Sequence, residues 1–388
     1  MSKVERKLIV VGFGPAGLGA ILHAYQTGKY TNIEVIDPTQ TPGSGGLEGV
    51  DIHSNSPGND FTQPYEEALL HSRDEEERNV YREILESPEA AALQGKTSPV
   101  PLSQAADFLK HVARTFINKG VVLHVQARAT GITFTGDEYR VTTSPQSSNG
   151  PTRTIEADDI VFALGAKEKL LPKVKERDPE ITYTSRELLA NTPRYHALYD
   201  QLLQASQRAE TPEVWIVGGQ HSAYSLAERF LPTGVHIHFC KRSHTKPFFG
   251  SVEVSLDHGY EPSEDEICPE TEKVNRWDGV RGRALDVWHA QQRGEVNLQD
   301  HYDISLEDIP SHAIVIQATG HTALDIPLVD DQGAAVKYET RVTSEGCVSF
   351  WVNGEQLPGA FAVGLGQPGP DGTNVYPQQA GRALALMR

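Results

Sequence analysis

The sequence predicts an α/β protein with two doubly wound parallel-sheet domains, the second inserted into the first. Two observations lead to this prediction. A buried strand, a glycine-rich turn and a helix begin near the N-terminus and recur about 206 residues later, with turns at Gly12 and Gly218. Each unit has a later apolar strand that ends at a glycine, Gly165 or Gly320. This recurrence indicates an internal duplication.

The first unit covers residues 7–22. The apolar run Leu8-Ile9-Val10-Val11 is typical of a strand buried on both faces of a parallel sheet. It leads into Gly12-Phe13-Gly14-Pro15-Ala16-Gly17 and a helix. Gly12 suits a tight turn, Gly14 lets backbone approach a pyrophosphate, and Gly17 lets the helix pack closely on the strand. The pattern predicts a dinucleotide site with its phosphates at the helix N-terminus, the alternative being a purely structural glycine turn.

A second apolar strand, residues 33–36, ends in Asp37. This acid lies 20 residues after Gly17, where a carboxylate accepts hydrogen bonds from an adenosine ribose.

A glycine-rich stretch follows. Residues 53–65 have neither the strand nor the helix period and are expected to form a loop. Because buried loop groups need hydrogen-bond partners, this loop could line a site; an ordinary surface loop is the alternative.

The following elements are predicted mainly from apolar periodicity and turn residues. They are a charged helical region over 66–92 with a solvated acidic run at 74–78, a helix over 102–118, a strand over 121–125, a hairpin over 131–143 and a buried strand over 159–164. A charged, proline-bearing crossover over 167–180 then marks a domain boundary.

The second unit begins with the strand 213–217 and continues into Gly218-Gly219-Gln220-His221-Ser222-Ala223 and a helix. Gln220 stands where the second glycine of such a turn usually lies, and a side chain there would hinder a phosphate. The next strand, 235–240, ends in Lys241-Arg242 instead of an acid. A cation pair here favours a 2′-phosphate and hence NADP over NAD, with solvated surface charge as the alternative.

The rest of the chain completes the two domains. Residues 248–288 are irregular and either face the substrate or form an insertion. Strands are expected at 314–317 and 360–364, and a helix over 376–387 could direct its N–H groups at a cofactor ring. The expected division is a first domain of residues 1–172 with its C-terminal part at 321–388, and a second domain of residues 173–320.

Composition excludes several classes of protein. A net charge of −17 disfavours a nucleic-acid partner or an anionic membrane surface, and no apolar stretch is long enough to span a bilayer. The first strand starts too early to leave room for a signal peptide. The three cysteines form neither a CxxC pair nor a zinc pattern. We therefore expect a cytoplasmic protein with no metal site, and a homodimer is compatible with the sequence.

Two dinucleotide sites in one chain need a chemical reason. Hydride transfer from a pyridine nucleotide to a flavin supplies one, so we expect FAD at the first site and NADPH at the second, facing each other across the domain seam.

The arrangement resembles the flavoproteins with two dinucleotide-binding domains over nearly the whole chain. Within them it is most similar to the class B flavin-containing monooxygenases and the related N-hydroxylating monooxygenases. The likeness lies in the turn at 218–223, in Ala318-Thr319-Gly320-His321, which is similar to their ATG linker motif, and in Ser54-Asn55-Ser56 with the aromatic residues that follow. Their FxGxxxH stretch before the second turn is absent here.

The resemblance implies a function and residue roles. Asn55 would orient the nicotinamide and stabilise a C4a-(hydro)peroxyflavin. The last FAD contacts would come from backbone groups of Gly366 and Gln367, with Gln378 or Gln379 from the start of the C-terminal helix. The implied enzyme uses NADPH and O2 to oxygenate a nucleophilic nitrogen or sulfur of a small-molecule substrate. Two alternatives remain open: an NAD(P)H-dependent reductase or dehydrogenase without oxygen insertion, and an FAD-binding regulatory protein with negligible turnover.

Overall fold

The structure is a computed structural model that describes residues 6–364 except 137, 146–151, 209, 270, 277–278, 331 and 343–347, with Asn55 described in its backbone alone. The strands are β1 (Lys7–Val11), β2 (Asn32–Ile36), β3 (His53–Pro57), β4 (Pro99–Pro101), β5 (Leu123–Val125), β6 (Ala127–Phe134), β7 (Tyr139–Pro145), β8 (Arg153–Ala157), β9 (Asp159–Phe162), β10 (Ala166–Glu168), β11 (Thr182–Thr184), β12 (Glu213–Val217), β13 (His236–Lys241), β14 (Leu298–Tyr302), β15 (Ile314–Gln317), β16 (His321–Ala323), β17 (Glu339–Val342), β18 (Val348–Val352) and β19 (Glu355–Ala362). The helices are α1 (Pro15–Thr27), α2 (Asn59–Leu70), α3 (Glu75–Leu85), α4 (Pro88–Ala91), α5 (Leu102–Asn118), α6 (Pro172–Lys175), α7 (Ser185–Leu189), α8 (Pro193–Gln207), α9 (His221–Phe230), α10 (Val252–Asp257) and α11 (Gly282–Gln292).

A seven-stranded sheet forms the first domain, in the order β17-β18-β19-β9-β1-β2-β5. The five strands from β19 to β5 pair in parallel, and β17 and β18 are antiparallel. Side chains of β1 alternate between its faces: Leu8 and Val10 pack on a core with α1 and α5, whereas Ile9 and Val11 pack on the antiparallel sheet β6-β7-β8. Burial on both faces explains the unbroken apolar run of this strand.

A second, all-parallel sheet lies between β9 and β19 in sequence, in the order β11-β15-β12-β13-β14. One face packs against α9 and α11 through residues such as Ile216 and Phe239. The other face carries Trp215 and Val217, which pack with Ile309. The predicted α/β fold with one parallel-sheet domain inserted into the other is confirmed; the boundary residues 172 and 320 stay a prediction.

The two sheets are joined by paired chains. Residues of β10 pair antiparallel with residues of β16, so the strand that leaves the first sheet and the strand that returns to it form one ribbon. Beside the ribbon, the Gln317 amide accepts a bond from Leu171 N at 2.8 Å and donates to the Lys169 carbonyl at 2.6 Å. These bonds tie the end of β15 to the crossover.

Several local predictions were wrong for physical reasons. Residues 53–65 form β3 and the start of α2, not a loop. The helix was hidden by Pro64 inside it, and its buried positions Thr62, Tyr65 and Ala68 repeat every three residues. The acidic run at 74–78 is not wholly solvated, because Glu77 is 1% exposed and binds Arg73 and the Tyr81 hydroxyl.

Candidate functional site

The first glycine turn is built so tightly that side chains are excluded. A Cβ on Gly12, whose φ is +104°, would stand 2.2 Å from the Ala163 carbonyl oxygen, and one on Gly17 would stand 2.1 Å from the Gly12 oxygen. The strand, the turn and α1 therefore pack against the end of β9 with no room for larger residues. These two glycines have the roles that the sequence predicts for them.

Gly14 is different, because its surroundings leave a narrow gap. A Cβ there would meet Gly45 Cα at 3.3 Å, so the loop after β2 passes directly over the turn. Gly14 is also the N-cap residue of α1 and offers no side-chain cap to the helix N–H groups. The uncapped helix N-terminus beside two glycine backbones suits a pyrophosphate, whose oxygens would accept these N–H groups.

Asp37 lies beside the same turn. Its carboxylate accepts a hydrogen bond from Phe13 N at 2.8 Å and another from Thr39 N at 2.8 Å. The acid at the end of β2 is thus held within reach of the nucleotide turn, as the spacing from Gly17 predicts. Its contact with an adenosine ribose stays a prediction.

The second turn repeats the backbone of the first. Gln220 is the N-cap of α9 with φ −114° and ψ −162°, close to the −88° and −168° of Gly14. A Cβ on Gly218 would lie 2.2 Å from the Ala318 oxygen, which matches the packing of Gly12. The Gln220 amide binds the loop after β13, donating to His244 O and accepting from Lys246 N, both at 3.3 Å. It therefore makes no cap bond to the N–H groups of α9.

Lys241 is placed differently from the sequence expectation. Its side chain is 1% exposed and its ammonium lies 2.7 Å from Asp300. It also donates to Tyr224 Oη at 3.1 Å and to Thr245 Oγ1 at 2.8 Å, and Thr245 in turn donates to Gly219 O. Burial lowers the pKa of Lys241, and the Asp300 charge opposes that shift. The lysine supports the second turn from beneath, which leaves the exposed Arg242 as the proposed contact of a 2′-phosphate.

The two cations should therefore respond differently to the same substitution. We expect Lys241→Met to lower the free energy of unfolding by about 2 to 4 kcal/mol, because it leaves a half-buried carboxylate without its partner. Arg242→Met should change stability by less than about 0.5 kcal/mol. It should weaken NADPH roughly tenfold while leaving NADH unchanged, since a charge-assisted bond to the 2′-phosphate is lost. Denaturant unfolding and nucleotide titrations separate these outcomes; equal weakening of both nucleotides would contradict the assignment of Arg242.

A bridging segment, residues 43–57, connects the two turns. It begins with Gly43 N donating to Phe13 O at 2.7 Å beside the first turn. It then docks on the second domain, where Asp51 N donates to Leu189 O at 2.8 Å and Arg229 donates to the carbonyls of Asp51 and Leu189. The segment ends in β3, which contains Asn55. One continuous piece of chain therefore contacts the first glycine turn and the second domain.

His221 lies at the second turn beside that segment. It is the first residue of α9, and its Nδ1 accepts a bond from Arg281 N at 3.4 Å. Burial lowers its pKa to about 4, with the nearby His53 backbone opposing the shift and the Arg281 charge adding to it. At neutral pH the imidazole is uncharged. A residue of β3 and a residue of the second turn thus lie close together.

The depressed pKa of His221 predicts a pH-dependent stability. Since the folded-state pKa of about 4 lies below the ordinary value of 6.5, the unfolded chain takes up the proton first. The stabilisation is complete above about pH 6.5 and falls by up to about 3 kcal/mol as the pH falls towards 4. In urea titrations, His221→Gln should lose less stability over this window than wild type. The exposed His71→Gln should keep the wild-type slope; a wild-type slope in His221→Gln would refute the argument.

Cationic residues within 248–288 influence the start of α2 through their charge. Burial raises the pKa of Asp60, and the charges of Lys273, Arg281 and Arg276 oppose this shift. The Arg281 guanidinium lies 4.0 Å over the Phe248 ring. This irregular region, which the sequence leaves undecided between substrate contact and plain insertion, therefore lies at the domain seam beside β3 and α2.

The remaining predicted cofactor residues divide into two groups. Gly165 and Gly320 precede the ribbon strands, with φ of +76° and +82° and open space where a Cβ would stand. Thr319 Oγ1 donates to the Lys169 carbonyl at 2.6 Å, so this hydroxyl supports the ribbon. Gly366, Gln367 and Gln378 and the expected helix over 376–387 lie outside the described residues. Their cofactor contacts stay predictions, as does the role of Asn55.

Sequence reasoning missed the polar support beneath the second turn. Tyr224 donates to Gln291 Oε1 at 2.6 Å, and Gln291 donates to Asp300 at 2.9 Å. Tyr224 lies 67 residues before Gln291, and the three residues come from a helix, a second helix and a strand. The one indication in the sequence was a lysine at the end of an apolar strand. Such a lysine is equally compatible with a ligand contact and with a buried ion pair.

The fold and the two turns resemble those of flavoproteins with FAD- and NAD(P)-binding domains. Residues 9–167, which are less than half of the chain, match the family model described as FAD-NAD(P)-binding. The predicted FAD and NADP cofactors agree with this family. Among the described residues, no helix is long and apolar enough to cross a membrane.

Individual relatives are more distant. A CMP-5′-(3-aminopropyl)phosphonate hydroxylase from Streptomyces rubellomurinus is 23% identical over 310 residues, which are 72% of this chain and 66% of that protein. An ornithine N-hydroxylase from Kutzneria sp. 744 is similar in structure, with TM-score 0.59, 13% identity and 98% of both chains covered. A bacillithiol disulfide reductase from Bacillus cereus is also similar, with TM-score 0.55, 15% identity and 98% of both chains covered. Hydroxylases and a reductase share this fold, so the likeness defines the architecture and leaves the reaction to be argued separately.

Proposed function

We propose that the protein is an NADPH-dependent flavin monooxygenase that hydroxylates the amine nitrogen of a small molecule. The observation that supports it most is the bridging segment, which contacts the first glycine turn, docks on the second domain and contains Asn55. FAD would be held by the turn at Gly12–Gly17 with Asp37, and NADPH by the turn at Gly218–Ala223 with Arg242. When bound, FAD supplies the chemistry that takes a hydride from NADPH and activates O2.

The chain's own part is binding, orientation and exclusion of water. The Lys241 network holds the second turn in place, and neutral His221 lies at this turn close to the His53 backbone of β3. Asn55 would orient the nicotinamide from β3. The bridging segment docks on Leu189 of the second domain, and in this position it would help to exclude water from the space between the two turns.

The substrate class follows from the charges at the seam. The charges of Lys273, Arg276 and Arg281, all within residues 248–288, act to lower the pKa of Asp60 at the start of α2. We propose that these cations bind an anionic group of the substrate and direct its amine towards the flavin. The curated relative is named for a substrate that carries both a phosphonate and an aminopropyl group, which supports this proposal.

The reductase alternative receives less support. Burial raises the pKa of the Cys240 thiol to about 11, which makes it a poor nucleophile at neutral pH. The sequence contains three cysteines and no CxxC pair. A reductase acting on another acceptor remains the second candidate. A cytoplasmic location and a homodimer also stay predictions.

Reaction stoichiometry tests the proposed function. With FAD, NADPH and an aminopropylphosphonate nucleotide, we expect equal consumption of NADPH and O2 and one equivalent of hydroxylamine. Propylamine, which has the amine and lacks the anion, should give much less product. Rapid anaerobic reduction of a quinone or carbonyl by NADPH, with no oxygenated amine formed under air, would favour the reductase.

A further inference from the structure

A cluster of histidine and glutamate side chains lies at the other end of the inserted sheet. Glu213 is the first residue of β12 and His236 the first residue of β13, and the two are paired in register. His238 follows two residues later on the same face of β13. Within the described part of the chain, this is the single group of three such residues whose ligand atoms all lie within 4.8 Å of one another.

His238 carries an unused ligand atom into this cluster. The residue is 6% exposed, and its Nε2 is buried with no hydrogen-bond partner. That nitrogen lies 3.9 Å from Glu213 Oε1, too far for a hydrogen bond. A buried ring nitrogen without a partner is costly, and a metal ion between the two ligand atoms would satisfy it.

The neighbours of His238 fix its ring. Its Nδ1 lies 2.9 Å from His301 Nε2, so the two imidazoles share a hydrogen bond. The Trp215 ring stacks on it with centroids 4.3 Å apart and planes 14° apart. When Nδ1 donates to His301, Nε2 carries the lone pair. Metal-binding histidines are typically oriented in this way by a bond from their other ring nitrogen.

We propose that Glu213, His236 and His238 bind a divalent transition-metal ion such as Zn²⁺. Two imidazoles and one carboxylate are a common ligand set for zinc, with water in the fourth position. Ligand atoms of one tetrahedral zinc lie about 3.4 Å apart, so Glu213, which is half-exposed, needs only a small side-chain rotation. The ion would join the first residues of β12 and β13. Since Gly218 follows the other end of β12, roughly 16 Å away, the site is separate from the nucleotide turn.

Zinc titration of the full chain, freed of metal by a chelator, tests the proposal. We expect one Zn²⁺ per chain with Kd of about 1 μM or lower and a rise in Tm on binding. His236→Gln and Glu213→Gln should each weaken binding by at least about tenfold. The matched control is His289→Gln, since His289 belongs to a pair with His258 whose rings are also 4.3 Å apart; it should bind zinc like wild type.

The possible results are distinct. Glu213 is an exposed position at a strand end, so Glu213→Gln keeps the test valid even if a histidine variant folds poorly. Unchanged zinc affinity in Glu213→Gln and His236→Gln would overturn the proposal, as would wild-type binding weaker than about 1 mM. NADPH oxidation should be the same in all these variants. The site differs from the sequence expectation of no metal, which rested on the spacing of the cysteines.

Discussion

Gly14→Val is expected to yield a folded protein that does not retain FAD. The backbone of Gly14 is extended, with φ −88°, so valine fits it without strain. Its side chain would occupy the gap between the turn and Gly45, where a Cβ already lies 3.3 Å from Gly45 Cα. That gap is where backbone must approach the pyrophosphate. We expect FAD affinity to fall at least about 100-fold, equivalent to about 2.7 kcal/mol.

Flavin absorbance per chain measures this effect, and urea unfolding of the FAD-free protein checks the fold. Gly250→Val is the matched control, because Gly250 lies in open space without a positive φ and is far from this turn in sequence. It should retain FAD like wild type. A yellow Gly14→Val protein with wild-type FAD affinity would show that the pyrophosphate does not lie at this turn.

Asn55→Ala is expected to separate NADPH oxidation from product formation. Asn55 belongs to β3, the strand at the end of the bridging segment. The first residue of this strand, His53, lies close to His221 of the second domain. If the Asn55 amide orients the nicotinamide, its loss removes a polar contact needed in the reaction and not in FAD binding. FAD content should be unchanged, while hydroxylated product per NADPH falls roughly tenfold or more and hydrogen peroxide rises.

Coupled assays of NADPH, peroxide and product measure this change. Ser56→Ala, the adjacent residue of the same strand, is the control and should stay coupled. Wild-type coupling in Asn55→Ala would remove Asn55 from the mechanism. Loss of FAD in the same variant would instead give Asn55 a structural role in the first domain.

The parallel-sheet framework could be predicted because its signals are local. Burial on both faces imposes an apolar run on β1 and β12, and close packing on Ala163 and Ala318 imposes glycine at positions 12 and 218. Such constraints are visible in a few consecutive residues. The helix over residues 102–118 was predicted for the same reason and is confirmed as α5.

The missed features depend on contacts between distant segments. Lys241 has the charge expected of a phosphate ligand, yet Asp300 and Tyr224 bury it under the turn. The strand β3 is held by backbone pairing with β4 and lacks an apolar period of its own. His236 and Glu213 meet through strand register alone. In each case the partner comes from elsewhere in the chain, so local pattern could not identify it.

The central claim is that the two glycine turns hold FAD and NADPH so that the nicotinamide faces the flavin. The absorbance spectrum of the FAD-loaded protein, recorded before and after anaerobic addition of NADPH, tests it most directly. The account predicts a yellow protein that binds about one FAD per chain. NADPH should bleach the flavin absorbance at a rate at least as fast as the enzyme turns over. A colourless protein that does not take up FAD, or a bound flavin that stays oxidised under excess NADPH, would contradict it.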